Sequence, residues 1–425
     1  MTIEIDDVSH LDLTRYIRPG DLVAWGQACA EPLTLTEALA AQRRQLGRVR
    51  CFAGISGTAA VRPECCDHLS FSSYTATGAG RALTAGGMLA IVPAHYSQLP
   101  RILTAGPLRA DVVFLSLPPA APDGTFGPGF AADYIAELTE TARVVLAEAN
   151  DQVPDISSDV RIRDRDVDVL VHTSRPPARY AAAPARDVEE AIAGHVANLI
   201  PDGATLQLGI GSMPSAVTRR LLDHRDLGVH SGMITDAVAD LIDAGVVTGA
   251  RKSLDRGKVV TGFLMGSDPL LKLAATEPSI SVRSTSYTHD PAVLAAQQLF
   301  VAINSATEVD LYGAANSETA AGKYVGAIGG IADFARGAAR SRGGIPIIAL
   351  PSTAVTKAGE KVSRIVARLS GPASLSRADA GVIVTEYGVA DLRGLALPAR
   401  RERMLAIAHP DFRNELAASS EASAP

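Results

Sequence analysis

Aromatic residues are scarce in this sequence. They make up 4% of the 425 residues, whereas hydrophobic residues of all kinds make up 47%. The core must therefore be built mainly from Ala, Val, Leu and Ile, which is the usual composition of parallel sheets covered by helices. This composition predicts an α/β protein with mainly parallel sheets.

Long basic runs and long apolar runs are also missing. The formal net charge is -6, which argues against the electrostatic surface that nucleic-acid binding requires. The first residues, MTIEIDDVSHLDL, lack the pattern of a signal peptide, and no apolar run approaches the length that spans a bilayer. We therefore expect a cytoplasmic protein with a soluble substrate and with no nucleic-acid or membrane partner.

Cysteine is rare, and the four cysteines are Cys29, Cys51, Cys65 and Cys66. The adjacent pair has no second Cys or His at zinc-ligand spacing, so we expect no metal site. Free cysteine packs as a small hydrophobic residue. We interpret these side chains as reduced thiols in the core rather than as catalytic thiols.

The length of the chain exceeds the size at which one core keeps growing, which predicts two domains. A weak internal duplication supports this number, because residues 19–28 and 201–211 both read as a turn, a short apolar strand and a glycine. Each is followed by a proline and a helical pattern. The proline-containing stretch 175–184 is typical of an extended connector. The predicted domains are residues 1–185 and 186–425.

Several short runs are apolar on both faces, as strands buried between helices require. These predicted strands are 112–115, 144–147, 169–171, 347–350 and 381–384. The sequence Thr34-Leu35-Thr36-Glu37 also fits a capping box at the start of a helix.

A first glycine-rich segment lies at residues 207–214, after a predicted strand. Parallel sheets bind ligands at the carboxyl ends of their strands, where backbone amides meet an anion. Gly209 and Gly211, next to Gln207, would let the backbone approach such a ligand, and Pro214 begins a helix. A tight turn without a ligand explains this pattern about as well.

A second segment, residues 326–337, contains the paired glycines Gly329 and Gly330 before an apparent helix. A loop that leads into a helix start is a plausible amide donor site. The alternative is an ordinary turn above an ion pair between Asp333 and Arg336.

A third segment follows the predicted strand 381–384 and carries Glu386 and Tyr387 at its carboxyl end. Charged groups at this place often serve function. The alternative is that Glu386 caps the turn or pairs with Arg393.

Together these segments resemble the acetyl-CoA hydrolase/transferase family of class I CoA-transferases, which includes 4-hydroxybutyrate and acetate CoA-transferases. The similarity covers almost the whole chain and includes IPDGATLQLGIG at 200–211 and LGVHS at 227–231. It is most specific in VTEYGVADLRG at 384–394 and IAHPDFR at 407–413. The resemblance implies two similar open α/β domains with the active site between them. It also implies an acyl-CoA and a small-molecule acceptor as substrates, no cofactor besides the coenzyme A of the substrate, and a homodimer or larger assembly.

The resemblance also shows a departure at the family's nucleophile. Members transfer CoA through a glutamate that attacks the thioester and becomes a covalent CoA thioester. That glutamate directly follows a His-Ser or His-Thr pair, where this chain has His230, Ser231 and then Gly232. Glycine has no nucleophilic group.

The loop with the paired glycines differs from the family as well. The family's Gly-Ser-Gly-Gly-Gln appears here as AIGGI at 327–331, and an aspartate after the first glycine segment appears as Ser215. Ile328 and Ile331 suggest a more apolar acyl pocket than that of the relatives. Because the glycines themselves are kept, we expect that ligand binding is retained and that the chemistry has changed.

The chemistry stays open among several reactions. Ser231, with His230 beside it, is a candidate nucleophile, although neighbours on an extended segment point to opposite faces. Water or a second substrate would attack the thioester directly in the space at Gly232, which gives a hydrolase or a ternary-complex acyltransferase. Decarboxylation or carbon-carbon cleavage of an acyl-CoA is a further alternative, and so is a catalytically silent acyl-CoA-binding subunit.

The candidate acids or bases are Glu31, Glu386 and Asp236. Each of these carboxylates has a structural role as its alternative. For Asp236 the better interpretation is an N-cap of the helix that follows it.

Overall fold

The computed structural model describes residues 2 to 421, and no helix among them is both long and apolar enough to span a membrane. The described chain forms two compact units. The first comprises the described residues up to Ala181 together with Ser231–Asp236 and Val259–Asp290; the second comprises Ala182–His230, Ala237–Lys258 and the described residues from Pro291 onward. The chain first leaves the first unit close to the predicted boundary at residue 185, but two later segments of the predicted second domain belong to the first unit.

Strands are numbered in chain order. Up to residue 173 they are β1 Ile3–Ile5, β2 Leu22–Trp25, β3 Val49–Phe52, β4 Leu69–Ser73, β5 Leu89–Ile91, β6 Val112–Leu117, β7 Thr125–Phe126, β8 Val144–Asn150, β9 Ile162–Arg163 and β10 Val169–Thr173. The later strands are β11 Thr205–Leu208, β12 Gly228–Ile234, β13 Val259–Leu264, β14 Ile280–Val282, β15 Phe300–Asn304, β16 Glu308–Asp310, β17 Ala315–Asn316, β18 Thr319–Ala320, β19 Lys323–Tyr324, β20 Ile345–Ala349, β21 Thr353–Val355, β22 Lys361–Ser363, β23 Ile365–Val366, β24 Val382–Thr385 and β25 Gly388–Asp391.

The α-helices are numbered in the same way. They are α1 Leu33–Gln42, α2 Gly80–Ala85, α3 Leu99–Thr104, α4 Ile135–Leu138, α5 Asp187–Ala197, α6 Ser212–Arg219, α7 Asp236–Asp243, α8 Asp268–Thr276, α9 Thr285–Thr288, α10 Pro291–Ala296, α11 Ile331–Arg340, α12 Leu397–Ile407 and α13 Pro410–Glu421.

The first unit is built on an open sheet in the order β1-β10-β8-β6-β2-β3-β4-β5, and every neighbouring pair is parallel. From β2 the chain adds strands toward one edge and then, from β6, toward the other edge. The change of direction between β2 and β6 is the place where open α/β sheets bind ligands. The same unit contains the parallel pair of β13 and β14.

The second unit repeats this arrangement around β11. That strand pairs in parallel with the beginning of β12 on one side and with β15 on the other, and β20 and β24 continue the parallel sheet. The last strand, β25, is antiparallel to β24. Because β2 and β11 are both the strands from which their sheets grow in two directions, the two α/β units are similar, as the internal duplication predicted.

All of the predicted buried strands are present, as β6, β8, β10, β20 and β24. Every residue of β6, β8 and β24 is buried, which explains why their sequences are apolar on both faces. The largest buried cluster of the second unit contains only Ala, Val, Leu, Ile and Met, and a smaller cluster adds Phe300 and Phe334 to aliphatic residues. The prediction of an aliphatic core and a mainly parallel α/β fold is confirmed.

The predicted capping box at Thr34-Leu35-Thr36-Glu37 is wrong. The first amides of α1 are capped by Glu148 from β8, whose carboxylate accepts the N–H groups of Thr34 at 2.8 Å and Leu35 at 3.2 Å. Glu37 instead forms an ion pair with Arg175 at 2.8 Å. A carboxylate from a neighbouring strand thus replaces the local cap that the sequence pattern indicated.

Candidate active site

The first glycine-rich segment forms the predicted strand, turn and helix, from β11 to α6. Gly211 has a φ of +111° and a ψ of -171°, a backbone conformation that is essentially restricted to glycine. A Cβ atom at this position would meet no other atom within 4 Å, so the space in front of the turn is open. The N–H groups of Ile210 and Gly211 form no hydrogen bond within the described chain. The turn therefore offers two free amide donors.

Gln207 is buried at the end of β11, and its side chain pairs with Asn304 at the end of β15. The Asn304 Nδ2 atom donates to Gln207 Oε1 at 2.9 Å, and Gln207 Nε2 donates to Asn304 Oδ1 at 3.3 Å. Asn304 was not among the site residues predicted from the sequence. The only signal for it was a polar residue at the end of the apolar strand FVAIN.

The second glycine-rich segment is also open. Gly329 has a φ of +54°, and a Cβ atom there would contact only the Ala327 methyl group, at 3.9 Å. The N–H group of Ile328 forms no hydrogen bond within the part of the chain that the structure describes, whereas Gly329 lies in an isolated β-bridge. Both residues precede the first turn of α11, whose dipole favours negative charge. A free amide at this place suits an anion or an oxyanion.

The two isoleucines of this segment have different surroundings. The Ile331 side chain is 5% exposed and packs in the core of the second unit, so it adds to the core rather than to an open pocket. Ile328 is half-buried. Arg336 forms an ion pair with Asp379 at 2.9 Å, and this pairing together with the nearby Asp333 carboxylate raises the pKa of Arg336.

Glu386 lies at the carboxyl end of β24, as predicted. Its carboxylate accepts the N–H group of Ser352 at 2.8 Å and the Ser352 hydroxyl at 2.6 Å. The predicted alternative partner is wrong, because Arg393 pairs with Asp391 at 2.7 Å. Glu386 therefore holds the loop that follows β20, and both of its oxygen atoms already accept hydrogen bonds.

Arg364 is a cation near Glu386 that the sequence reasoning missed. Its Nε atom donates to the Thr307 carbonyl oxygen at 2.8 Å, and Nη2 donates to the carbonyl oxygen of Ala306. Burial and the nearby Arg186 lower the pKa of Arg364 to about 10, while Glu386 opposes this shift. The guanidinium stays charged at neutral pH and adds positive potential to this part of the second unit.

Gly232 lies on β12 and is buried in the first unit. A Cβ atom added to Gly262 would lie 2.7 Å from the Gly232 carbonyl oxygen and 3.6 Å from the Asp133 Cβ atom. A side chain at Gly262 would therefore clash with the backbone of β12. The residues of β12 are Gly, Val, His, Ser, Gly, Met and Ile, so this strand carries no carboxylate.

Asp133 is the centre of a buried hydrogen-bond network in the first unit. Its Oδ2 atom accepts from Gln27 Nε2 at 2.7 Å, and its Oδ1 atom accepts from the Ile135 N–H group at 2.8 Å. Gln27 Nε2 also donates to the Tyr96 hydroxyl at 2.6 Å, while Gln27 Oε1 accepts from the Tyr74 hydroxyl at 2.8 Å. Burial raises the pKa of Asp133 to about 6. No oxygen of this carboxyl group is left free.

Glu31 is 2% exposed and follows the short 3-10 turn Ala28–Ala30. Its carboxylate accepts the N–H group of Gly57 at 3.0 and 3.1 Å and the Tyr180 hydroxyl at 2.9 Å. Burial raises the pKa of Glu31 to about 7, against the effect of these donors. The group can hold a proton near neutral pH, and it fixes the loop after β3.

Asp236 caps a helix, but not the helix that the sequence indicated. Its carboxylate accepts the N–H group of Ser267 at 2.9 Å, the Ser267 hydroxyl at 2.9 Å and the Leu270 N–H group at 3.3 Å. These are the first amides of α8 and not those of α7.

His230 and Ser231 are both buried, at 0% and 1% exposure. The His230 ring stacks edge-on against Phe300 at 6.4 Å, and its Nδ1 atom lies 3.4 Å from Gln297 Nε2. These contacts hold the imidazole in the second unit, whereas Ser231 belongs to the first unit.

The cysteines are unpaired, as predicted. Burial raises the pKa of Cys29 to about 12, and its thiol interacts with the Gly266 carbonyl oxygen at 3.5 Å. A thiol with this pKa is not a nucleophile at neutral pH. Among the described residues, no group of three or more His, Cys, Asp or Glu side chains is arranged to hold a metal ion.

Comparison with known proteins agrees with this arrangement. Residues 8–178 match the acetyl-CoA hydrolase/transferase N-terminal domain, and residues 266–420 match the C-terminal domain of the same name. The chain is 37% identical over 351 residues to a 4-hydroxybutyrate coenzyme A transferase of Clostridium kluyveri, which covers 82% of this chain and 81% of that protein. It is 33% identical over 423 residues to a butyryl-CoA:acetate CoA-transferase of Anaerostipes caccae, which covers 96% of this chain and 94% of that protein.

Solved structures give the same result. The crystal structure of RipA from Yersinia pestis is 33% identical, with a TM-score of 0.90, and covers 96% of this chain and 95% of that chain. A 4-hydroxybutyrate CoA-transferase from Porphyromonas gingivalis is 33% identical, with a TM-score of 0.83, and covers 99% of this chain and 97% of that chain. With both family domains matched and these relatives similar over most of their length, the chain belongs to the acetyl-CoA hydrolase/transferase family.

Proposed function

We propose that this protein is an acyl-CoA-processing enzyme that moves an acyl group or CoA between an acyl-CoA and a carboxylate acceptor without a covalent glutamyl intermediate. The observation that carries the proposal is the pair of open glycine-rich turns in the second unit. Ile210, Gly211 and Ile328 keep free N–H groups there, which suit a thioester carbonyl that becomes an oxyanion.

The altered mechanism follows from Gly232, which we take as the counterpart of the family's glutamate. Among the first-unit carboxylates described above, none is free to replace this glutamate. Both oxygens of Asp133 accept hydrogen bonds, and Glu31 is held by the Gly57 amide and the Tyr180 hydroxyl. A carboxylate that is fixed in this way is a poor nucleophile, because each donor stabilises its ground state.

The acceptor carboxylate itself then attacks the thioester carbonyl carbon. The carbon-sulfur bond breaks, CoA leaves as the thiolate, and a mixed anhydride of donor and acceptor forms. The thiolate next attacks the acceptor carbonyl of this anhydride, which gives the new acyl-CoA and releases the donor acid. If water takes the place of the acceptor, the products are the free acid and CoA, and the enzyme is a hydrolase.

The first test is a panel of acyl-CoAs with and without carboxylate acceptors, followed by mass spectrometry of free CoA and of the acyl products. We expect new acyl-CoA only when an acceptor is present. Release of CoA at the same rate without an acceptor would assign the hydrolase reaction instead. Tight CoA binding without any turnover would support a silent binding subunit and would refute the proposed enzyme.

The second test distinguishes direct attack from a covalent route. With acceptor labelled in both carboxylate oxygens with ¹⁸O, direct attack places one label in the released donor acid during the first turnover. A route through an enzyme carboxylate would release unlabelled donor acid in that turnover, because the oxygen comes from the enzyme. The label in the first turnover therefore decides between the two routes.

Matched variants at position 232 separate charge from size. We expect Gly232→Glu to create or raise CoA transfer to acetate, and Gly232→Gln to lower activity because it adds a side chain of the same size without a nucleophile. Equal loss of activity in both folded variants would contradict the assignment of Gly232 to the family's glutamate position.

A further inference from the structure

The loop at residues 325–330 is attached to a preceding segment of the second unit, Ser317 and Glu318. The Glu318 carbonyl oxygen accepts the N–H groups of Val325 at 2.8 Å and Gly326 at 3.0 Å. The Ala327 N–H group donates to the Ser317 carbonyl oxygen at 3.2 Å. The Ser317 hydroxyl donates to the Ala327 carbonyl oxygen at 2.7 Å.

The contact between these two segments is close. A Cβ atom at Gly326 would lie 2.1 Å from the Ser317 carbonyl oxygen, so only glycine permits it. Directly after Ala327 the pattern changes, because the next residue, Ile328, donates to no acceptor within the described chain. The attached part of the loop thus ends where the open part begins.

The Glu318 side chain in turn fixes this segment to the rest of the unit. It is 4% exposed, and its two oxygens accept the Ser374 hydroxyl at 2.7 Å and the Tyr324 hydroxyl at 3.0 Å. The Ser374 hydroxyl oxygen also accepts the N–H group of Ser317 at 2.9 Å. Ser374 thereby links the buried Glu318 carboxylate to the Ser317 backbone, which holds the loop.

We propose that Ser317 and Glu318 are positioning residues that hold the N–H groups of the loop at residues 328–330 in the orientation that stabilises the thioester oxyanion. This inference rests on the proposed function, because it assigns the oxyanion to this loop. Amide donors stabilise a transition state effectively only when they are fixed before the reaction, because the free-energy cost of reorienting them would cancel the stabilisation. Ser317 and Glu318 do not contact the substrate in this proposal and act through the loop alone.

Four variants test the proposal. Ser317→Ala removes the hydroxyl that donates to Ala327, and Ser317→Thr keeps a hydroxyl. Glu318→Ala removes the acceptor of both hydroxyls. Glu318→Gln can still accept from Ser374 through Oε1 and donate to the Tyr324 oxygen through Nε2.

We expect kcat with the best acyl-CoA to fall about fivefold in Ser317→Ala and about tenfold in Glu318→Ala, with KM unchanged and partial rescue in the threonine and glutamine variants. The carbonyl stretching band of a bound acyl-CoA should also move toward its value in water, because the donors are less well aligned. A merely structural role would lower the melting temperature without moving this band.

Asp310→Asn is the control. Asp310 is a half-buried carboxylate of the same unit that accepts the N–H groups of Tyr312 at 2.8 Å and Ala314 at 2.9 Å, and it forms no hydrogen bond with residues 316–327. We expect this variant to change stability without moving the carbonyl band. A band that moves equally in Asp310→Asn and Glu318→Ala would overturn the proposal.

Hydrogen exchange without ligand keeps this inference separate from the proposed function. The Ser317→Ala and Glu318→Ala variants should exchange the amides of Val325, Gly326 and Ala327 faster than the unmodified protein. If exchange stays unchanged, these residues do not position the loop. If exchange rises while acyl-CoA kinetics and the carbonyl band stay the same, the loop is not the oxyanion site. If the unmodified protein neither binds nor converts any acyl-CoA, the proposed function fails and with it the role assigned to the loop.

Discussion

Replacement of Glu148 by glutamine tests how the first unit tolerates a buried carboxyl group. Glu148 is 1% exposed, and its carboxylate caps α1 by accepting the N–H groups of Thr34 and Leu35. Burial raises the pKa of Glu148 to about 7 from the ordinary 4.5, although the two amide donors act in the opposite direction. This difference corresponds to about 3 kcal/mol of unfolding free energy.

The direction of the pH dependence follows from the raised pKa. The folded chain binds this proton more tightly than the unfolded chain, so the contribution to stability is complete below pH 4.5 and is lost as the pH rises through 7. Glutamine stays neutral and can accept the same amides. We therefore expect Glu148→Gln to be up to about 3 kcal/mol more stable than the unmodified protein at pH 8, and no more stable at pH 4.5.

The measurement is native-state hydrogen exchange of the α1 amides in urea at both pH values, because a chain of two units need not unfold in one step. Glu37→Gln is the control, since Glu37 lies on the same helix with a half-exposed side chain paired to Arg175. A Glu148→Gln variant that is less stable at pH 8, with an unchanged pH dependence, would refute the reasoning. It would mean that the two amide donors stabilise the carboxylate more than burial disfavours it.

Further predictions concern the second cap, the open turn and the thiols. Asp236→Ala should lower stability by about 1 kcal/mol and speed hydrogen exchange at the start of α8, and unchanged exchange there would contradict its role as the cap. Gly211→Ala should strain the turn by about 1 to 3 kcal/mol and weaken acyl-CoA binding measured by calorimetry. Gly245→Ala, at a φ of +70° with nothing within 4 Å, should leave binding unchanged. Iodoacetamide should label the half-buried Cys66 before the buried Cys51, as read by peptide mass spectrometry, and the reverse order would contradict the structure.

Much of the fold was predictable from the sequence because its signal is local. Strands such as β6 and β24 are buried on both faces, so burial appears directly as an unbroken apolar run. The return of residues 231–236 and 259–290 to the first unit was not predicted. The connector near residue 185 could be predicted because its prolines are typical of a linker. Whether a later segment rejoins the first unit depends on which strands become neighbours in the folded chain.

The candidate site shows the same division. The glycines at 209, 211, 329 and 330 could be read from the sequence, because a strand, a glycine turn and a helix follow one another along the chain. The attachment of residues 325–327 to Ser317 and Glu318 could not be read from it, since it depends on how the chain folds back between these segments. Nor could the pairing of Glu386 with Ser352, which are 34 residues apart.

The sequence by itself determined the α/β class, the apolar strands, the glycine turns and the family resemblance, including a glycine at position 232. These features depend on residue type and on order along the chain. Only the tertiary structure decided what each buried carboxylate binds: Glu148 the start of α1, Asp236 the start of α8, and Glu318 the serine that fixes the open loop. The physical reason is that a buried charge must find its donors wherever the fold brings them, and neighbouring strands bring them from distant parts of the chain.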